Sequence, residues 1–357
     1  MTFSIQPKFL LAVTALLLST LACRAATRLI IPDTPTPPPT FTPPPTWTPS
    51  LVPTAIPSVT PTPEPYEASC PSDLTRILDD AIFNRTDFQG EENAFEEDIT
   101  FLVHYTVVNG ELKTPLFNDV KKTLQDEQED RAAHEEVWSL FKRLIPEEHR
   151  SMLNAFTIFT DGHENYLASV NQSDLSPYKW ELNVDYADTT PQTNLIYTLI
   201  HEQGHLLTLN RDQVAVSLPV YRNPEDEDIY DREANACPQY FTGEGCSNPE
   251  SYISEFFNRF WLDLYQEWLD IDAEENELTR ERLLDDFYDT YQDQFLTDYA
   301  PTSPAEDIAE SWSFFVLSPK PELTSIANEK LLFFYNYPEL VELRTSILQN
   351  ICAEFQP

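Results

Sequence analysis

The run of threonine and proline from residue 31 to residue 64 constrains the fold of this chain more than any other feature. It reads IPDTPTPPPTFTPPPTWTPSLVPTAIPSVTPTPE. Proline removes a backbone donor and fixes φ, so this run can form neither a helix interior nor a sheet. We expect residues 23–66 to form an extended stalk, whose polyproline-like part spans roughly 100 Å at about 3.1 Å per residue. The folded part of the chain therefore begins at about residue 67.

Residues 1–22 have the features of an export signal. Lys8 supplies a positive charge, and the apolar run FLLAVTALLLSTLA that follows is too short for a membrane-spanning helix. The run ends at Cys23 in a pattern that resembles a bacterial lipobox, although Thr20 and Leu21 depart from the usual residues. This resemblance implies an extracytoplasmic protein that is anchored to the bacterial cell surface by a lipid on Cys23. Ordinary cleavage and secretion is the alternative.

The charge balance excludes one class of partner. The chain has 60 acidic and 22 basic residues, with a net charge of −38. Nucleic-acid binding needs lysine and arginine to neutralise phosphates, so we expect no nucleic-acid partner. The balance fits a soluble extracytoplasmic protein and favours cationic partners. The acidic runs themselves are interpreted as solvated faces, with weak calcium sites as the alternative.

Four cysteines remain when Cys23 is set aside, an even number that indicates two disulfides in an exported chain. Cys237 and Cys246 flank a short loop, so we predict that they pair. Cys70 and Cys352 would then connect the two ends of the folded region.

The order of the elements predicts an α+β fold. A short helix opened by Ser72 comes first. A strand or hairpin with a turn at Asn109-Gly110, a long helix over 118–144 and three further strand candidates follow it. The next element is an apolar helix over 192–209, with Thr190 as its cap and Pro191 in its first turn. The remaining chain is helical or irregular, with predicted helices at 251–270, 279–297, 304–317 and 326–352. Strands thus precede the apolar helix and helices follow it, which favours a small sheet packed against helices.

The apolar helix contains the sequence TLIHEQGHLL, residues 198–207. His201 and His205 are four residues apart, so both imidazoles can face one zinc ion. Glu202 lies one residue round the helix and can reach a water without binding the ion. The alternative is a pair of histidines held by hydrogen bonds in the core.

A zinc ion held by two histidines needs a third protein ligand. The metzincin pattern is excluded because Arg211 and Thr208 occupy the positions of its third histidine and its glycine. No GTxxD follows the helix, which leaves a glutamate. Glu233 in DREANA and Glu306 in YAPTSPAEDIAESW are the candidates. Glu306 could instead form a capping box with Ser303, and Glu233 could be one more charge in an acidic loop.

HEQGH followed by Y-x6-EDIAES is similar to the gluzincin peptidases of the anthrax lethal factor type. The resemblance covers roughly residues 150–350, and the segment KLLFFYNYPELVELRTSIL also resembles the C-terminal helix of bacterial zinc metallopeptidases. The resemblance to the gluzincin peptidases implies that Glu306 binds zinc and that Tyr299 stabilises the transition state. Glu310 could accept a hydrogen bond from a ligand histidine, and it also stays open as the ligand itself. The resemblance implies a zincin-like domain over 151–357, with a small mixed sheet, while residues 67–150 remain unassigned.

These observations favour an extracytoplasmic zinc peptidase with one catalytic ion, acting on a peptide or protein substrate. Glu202 would act as general base for a zinc-activated water, and the substrate would lie extended along a strand edge such as KWELNVDYAD. Asp307 is expected to be structural and His163 incidental. The alternatives are a surface-tethered binding or adhesion module that keeps an inactive zincin fold, and a structural zinc protein with a fourth protein ligand.

Overall fold

The computed structural model describes residues 66–86, 99–162 and 166–356. The predicted signal peptide, Cys23, most of the stalk and His163 lie outside the described residues. The strands are β1 (Thr100–Val108), β2 (Glu111–Phe117), β3 (Leu153–Thr160), β4 (Ala168–Gln172), β5 (Trp180–Asp185), β6 (Val214–Val216) and β7 (Gly245–Ser247). The helices are α1 (Pro71–Thr86), α2 (Gln125–Glu129), α3 (Arg131–Leu144), α4 (Gln192–Leu209), α5 (Leu218–Arg222), α6 (Glu227–Ala236), α7 (Tyr252–Phe260), α8 (Tyr265–Asp272), α9 (Glu277–Thr290), α10 (Pro304–Leu317), α11 (Ile326–Phe334) and α12 (Pro338–Glu354). The predicted α+β class is confirmed.

Five strands form one mixed sheet in the order β2-β1-β3-β5-β4. β3 and β5 are parallel, and the other neighbouring pairs are antiparallel. The predicted hairpin connects β1 to β2, with Asn109 and Gly110 both at positive φ, as a tight hairpin turn requires. Residues 67–150, for which no role is predicted from the sequence, therefore contribute two strands to the same sheet as β3, β4 and β5.

The register gives the sheet one apolar and one polar face. Tyr105, Phe156, Leu182 and Val170 are paired in one row across four strands. The apolar face packs against α3, where the Trp138 ring lies 5.4 Å from the Phe156 ring. The next row alternates to the other face, and its paired residues are His104, Thr157, Asn183 and Ser169. Since side chains alternate along a strand, the two rows must face opposite ways.

Helix α4 is the central helix of the fold. Every residue from Thr193 to Leu209 is buried, which agrees with a sequence that is apolar on several sides. α4 crosses α10 closely at Gly204, where an added Cβ would lie 3.1 Å from both Ala309 Cα and Trp312 Cδ1. A side chain at residue 204 would separate the two helices.

Two sequence predictions about helix boundaries are wrong. The helix predicted over 118–144 is broken at Asp130, because its carboxylate accepts from Ala133 N and caps α3 instead of continuing a helix. Thr190 does not cap α4, because Pro191 occupies the N-cap position and forms no side-chain cap hydrogen bond. The Thr190-Pro191 peptide bond is cis.

Two of the later helical segments are also interrupted. The segment predicted over 251–270 forms α7 and α8, and the segment over 326–352 forms α11 and α12. The second break lies just before Pro338, and proline disfavours a helical conformation at the residue that precedes it. The helix predicted over 279–297 ends at Thr290, whereas α10 has the predicted bounds.

The prediction that KWELNVDYAD forms a sheet edge is wrong. These residues include β5, which lies between β3 and β4, and every residue of β5 is buried. The polar residues Glu181 and Asn183 are typical of a strand with one solvated face. In the structure, both form hydrogen bonds on the polar face of the sheet. The edge strand on this side of the sheet is β4.

Both predicted disulfides are confirmed. Cys70 is bonded to Cys352, which ties the start of α1 to the end of α12, and Cys237 is bonded to Cys246. In the chain-entropy description, the constraint grows with the length of the closed loop. The Cys70–Cys352 bond, with a sequence separation of 282, therefore restricts the unfolded chain far more than the bond that closes the loop of separation 9.

Candidate metal centre

Helix α4 presents His201, Glu202 and His205, all of them buried. The His201 and His205 rings lie 4.8 Å apart, and their Nε2 atoms are separated by 3.1 Å. The i, i+4 spacing on a regular helix therefore brings both nitrogens to one point, as the sequence predicts.

Helix α10 brings Glu306 to the same point. Its Oε2 lies 3.0 Å from His201 Nε2 and 3.2 Å from His205 Nε2. The backbone N–H of Glu306 donates to Ser303 Oγ at 3.1 Å, so the serine caps the helix while the glutamate carboxylate faces the histidines. The predicted competition between capping and ligation therefore does not arise, because the cap uses only the backbone of Glu306.

The three atoms fit the dimensions of a zinc site. Ligand atoms about 2.0–2.1 Å from a tetrahedral zinc ion lie roughly 3.3 Å from one another. The triangle formed by the two Nε2 atoms and Oε2 has edges of 3.0, 3.1 and 3.2 Å. Two imidazoles and one carboxylate are also a donor set that zinc accepts while it keeps a further position open. His201, His205 and Glu306 could therefore hold zinc with little rearrangement.

Glu310 supports the site from behind His201. Its Oε1 accepts from His201 Nδ1 at 2.8 Å, as expected of a carboxylate that orients a metal-binding histidine. Its Oε2 accepts from the hydroxyls of Tyr197 at 3.0 Å and Thr297 at 2.7 Å. Glu310 is fully buried, so these hydrogen bonds offset the cost of burying its charge.

Sequence reasoning found Glu310 but missed Tyr197 and Thr297. Tyr197 lies four residues before His201 on α4, so helical spacing could have placed it on the same face. Thr297 lies in the turn before α10, and no local pattern distinguishes it from other threonines.

The site favours a positive charge at its centre. Burial lowers the pKa of His201, but hydrogen bonds and charge interactions with Glu306 and Glu310 outweigh this effect and raise it to about 10. Burial acts against ionisation of Glu306 in the same way, yet His205 and His201 lower its pKa well below the usual value. A proton on His201 balances the negative charge of these carboxylates. A divalent cation that is bound by the nitrogen and oxygen lone pairs of the site can replace that proton.

Glu202 has the environment of a base rather than a ligand. Burial raises its pKa, and an interaction with the Val170 backbone in β4 acts in the opposite direction. Its Oε2 is buried and has no hydrogen-bond partner among the described residues. A buried carboxylate oxygen without a partner is costly, and a water next to the metal centre would satisfy it.

The Tyr299 ring lies 6.0 Å from the His201 ring and is 41% exposed. It precedes a short 3-10 turn, residues Ala300–Thr302, that leads into α10. The structure therefore places the phenol beside the histidines and open to solvent.

The other candidates lie elsewhere. Glu233 accepts from Ser217 Oγ at 3.1 Å and pairs with Arg232 at 3.2 Å, away from the three converging atoms. Asp307 is fully buried and pairs with Lys330 at 2.6 Å, and Trp261 Nε1 donates to it at 2.7 Å. The prediction of a structural role for Asp307 is confirmed.

Comparison of the chain with protein-family models, curated proteins and solved structures finds no match. Among the helices of the described ranges, none combines the length and apolar character needed to cross a membrane.

Proposed function

We propose that this chain is a zinc-dependent peptidase of the gluzincin type with a zincin-like fold. The proposal rests above all on the convergence of Glu306 Oε2, at 3.0 and 3.2 Å, on the Nε2 atoms of His201 and His205. Glu306 lies in a helix about 100 residues further along the chain, and its carboxylate adds a third ligand to the two histidines. The unpartnered Glu202 oxygen beside it supports catalysis over a purely structural metal site.

Each residue then has a distinct task. His201, His205 and Glu306 would hold zinc, which would supply Lewis acidity that lowers the pKa of a water toward about 7. Glu202 accepts the proton of the attacking water and passes it to the leaving amine, a role for which its raised pKa suits it. Tyr299 donates to the oxyanion that develops at the scissile carbonyl, an interaction worth about 3 kcal/mol.

The substrate would lie along β4 rather than β5. β4 is an edge strand that packs against α4, and the backbone of its Val170 lies beside the Glu202 carboxylate. The free edge of β4 therefore runs beside the metal centre. An extended peptide can pair with such an edge through main-chain hydrogen bonds, and its carbonyls would then pass Glu202.

The location of the enzyme follows from the segment before residue 67. An acylated Cys23 and a Thr/Pro-rich stalk would hold the peptidase away from a bacterial membrane, outside the cytoplasm. The two disulfides support an oxidising compartment.

The test uses purified full-length protein, metal analysis and a proteome-derived peptide library read by mass spectrometry. The wild type should bind one zinc ion per chain and cleave the library. Glu202→Gln should bind zinc but cleave at least about 100-fold more slowly, the usual contribution of a general base. Glu306→Gln should lose zinc, and Tyr299→Phe should retain zinc but cleave more slowly.

Glu233→Gln is the matched control, since it removes the rejected ligand and should behave as the wild type. If the wild type bound zinc but neither it nor any variant cleaved, the peptidase proposal would be wrong. The surface-tethered binding module would then be the better description. A zinc site with four protein ligands would identify a structural metal instead.

A further inference from the structure

The loop between Cys237 and Cys246 is held rigidly. The disulfide closes it, and β7, which contains Cys246, pairs with β6. Ser217 N donates to the Glu244 carbonyl at 2.8 Å, and Thr242 N donates to the Gly245 carbonyl at 2.9 Å. A Cβ at Gly245 would lie 2.1 Å from Ala215 O, so only glycine permits this approach of the loop to β6. The backbone that carries the Glu244 side chain is therefore held in place.

This loop borders the metal centre. Residues 210–213 alone separate α4 from β6, and the loop packs on β6. From α5, which follows β6, the Tyr221 hydroxyl donates to the carbonyl of Ser173, the residue after β4, at 2.9 Å. β4, α5 and the disulfide loop therefore lie next to one another beside α4. Glu244 is close enough to His205 for their charges to interact.

The Glu244 carboxylate lacks a cationic partner of its own. It accepts from Thr242 Oγ1 at 2.7 Å, but no Lys or Arg of the described ranges forms an ion pair with it. Burial raises its pKa. A partly buried carboxylate without a Lys or Arg partner gains most from a cation that arrives with the ligand.

We propose that Glu244 is the specificity residue of this site and selects substrates with a lysine or arginine side chain next to the scissile bond. The inference rests on the proposed peptidase function and extends it to a substrate class. The rigid loop holds the backbone that carries the carboxylate, so a basic side chain of a peptide along β4 finds a preorganised acceptor. An acidic side chain at the same position would be repelled by the Glu244 carboxylate.

The experiment compares cleavage-site profiles of the wild type, Glu244→Gln, Glu244→Arg and Glu342→Gln on the proteome-derived peptide library. Glu342 is exposed on α12 and has the same charge, so its variant is the matched control. Paired peptides with Arg or Gln at the enriched position then give the ratio of kcat/KM. We expect a wild-type ratio of roughly 30, as for loss of one partner from a desolvated charge pair.

Glu244→Gln should reduce this ratio to about 3 or less, Glu244→Arg should enrich acidic residues instead, and Glu342→Gln should leave the ratio unchanged. All four proteins should still bind one zinc ion per chain. The proposal is overturned if the wild-type profile shows no basic residue near the bond, or if Glu244→Gln keeps it. It is also overturned if Glu244→Gln weakens zinc binding and slows all substrates equally. Glu244 would then position His205, whose Nδ1 is buried with no partner among the described residues.

Failure of the peptidase function is distinguishable from failure of this inference. If the wild type cleaves nothing, the same library is offered to zinc-loaded, immobilised protein and the retained peptides are sequenced. A basic bias among them that disappears in Glu244→Gln would support Glu244 as a cation acceptor in a binding module. Absence of that bias would overturn both ideas.

Discussion

Replacement of Glu310 by glutamine should weaken zinc binding about 10- to 100-fold without removing a ligand. Glutamine keeps the shape of the side chain and one carbonyl oxygen for His201 Nδ1, which now lies 2.8 Å from the carboxylate. Its amide can donate to the hydroxyls of Tyr197 and Thr297, because hydroxyls accept as well as donate. What the substitution removes is the negative charge behind His201.

The magnitude follows from the role of that charge. A carboxylate that accepts from a metal-binding histidine makes the imidazole a stronger donor, and losing such a partner costs about 10- to 100-fold in metal affinity. This range corresponds to about 1.4 to 2.8 kcal/mol. Competition with a fluorescent zinc chelator measures the dissociation constant directly. The stoichiometry should remain one zinc ion per chain, because the three ligands are intact.

Two variants calibrate this result. Tyr197→Phe removes one hydrogen bond to Glu310 but keeps its charge, so zinc affinity should fall by only about threefold, as for one modest hydrogen bond. Glu306→Gln removes a ligand and should lose far more affinity than Glu310→Gln. If Glu310→Gln bound zinc as tightly as the wild type, or if Tyr197→Phe matched it, the charge of Glu310 would not be what supports His201.

Two further predictions concern stability. Lys330→Met should lower the free energy of unfolding by about 3–5 kcal/mol, because it leaves the fully buried Asp307 charge unpaired. Urea unfolding measures this loss. As a control, Lys122→Met at an exposed position should change the free energy of unfolding by less than about 0.5 kcal/mol. A similarly small effect of Lys330→Met would contradict the reasoning. Asp272→Asn should stabilise the protein at pH 8 but not at pH 4. Burial raises the pKa of Asp272 to about 8 from 3.8, so the folded state holds more protons than the unfolded state between these values. Stability due to this group is complete below about pH 4 and is lost as the pH rises toward 8, by up to about 1.4 kcal/mol per pH unit. If the free energy of unfolding changed equally with pH in the wild type and the variant across this range, the assignment would be refuted.

The elements that the sequence predicts best are those whose signals are local. α4 has its predicted bounds because its residues are apolar on several sides and a proline precedes it. The Asn109-Gly110 hairpin follows from two residues that readily adopt positive φ. The break at Asp130 was missed for the opposite reason. It lies in a run of acidic residues, and nothing in the sequence shows which of them accepts from Ala133 N.

Strand order required information that the sequence does not contain locally. β5 alternates polar and apolar residues like a strand with one solvated face, yet Glu181 and Asn183 are buried. Glu181 contacts His104 at 3.0 Å, and Asn183 donates to Ser169 at 3.0 Å. The polar side chains of β5 satisfy one another across the sheet, so alternation alone could not separate an edge strand from a central one.

In α10, too, the sequence predicts only part of the candidate site. Glu306 and Glu310 are four residues apart and face α4, whereas Asp307 lies about 100° round the helix and faces Lys330. Three acidic residues of one short segment are therefore neutralised by different partners on two sides of one helix. The spacing within EDIAES predicts which two share a face, but only the position of α4 determines which face meets the histidines. Gly204 permits that approach, since any larger residue would push Ala309 away and carry Glu306 and Glu310 with it. The glycine of HEQGH thus contributes to the metal centre through the distance between two helices.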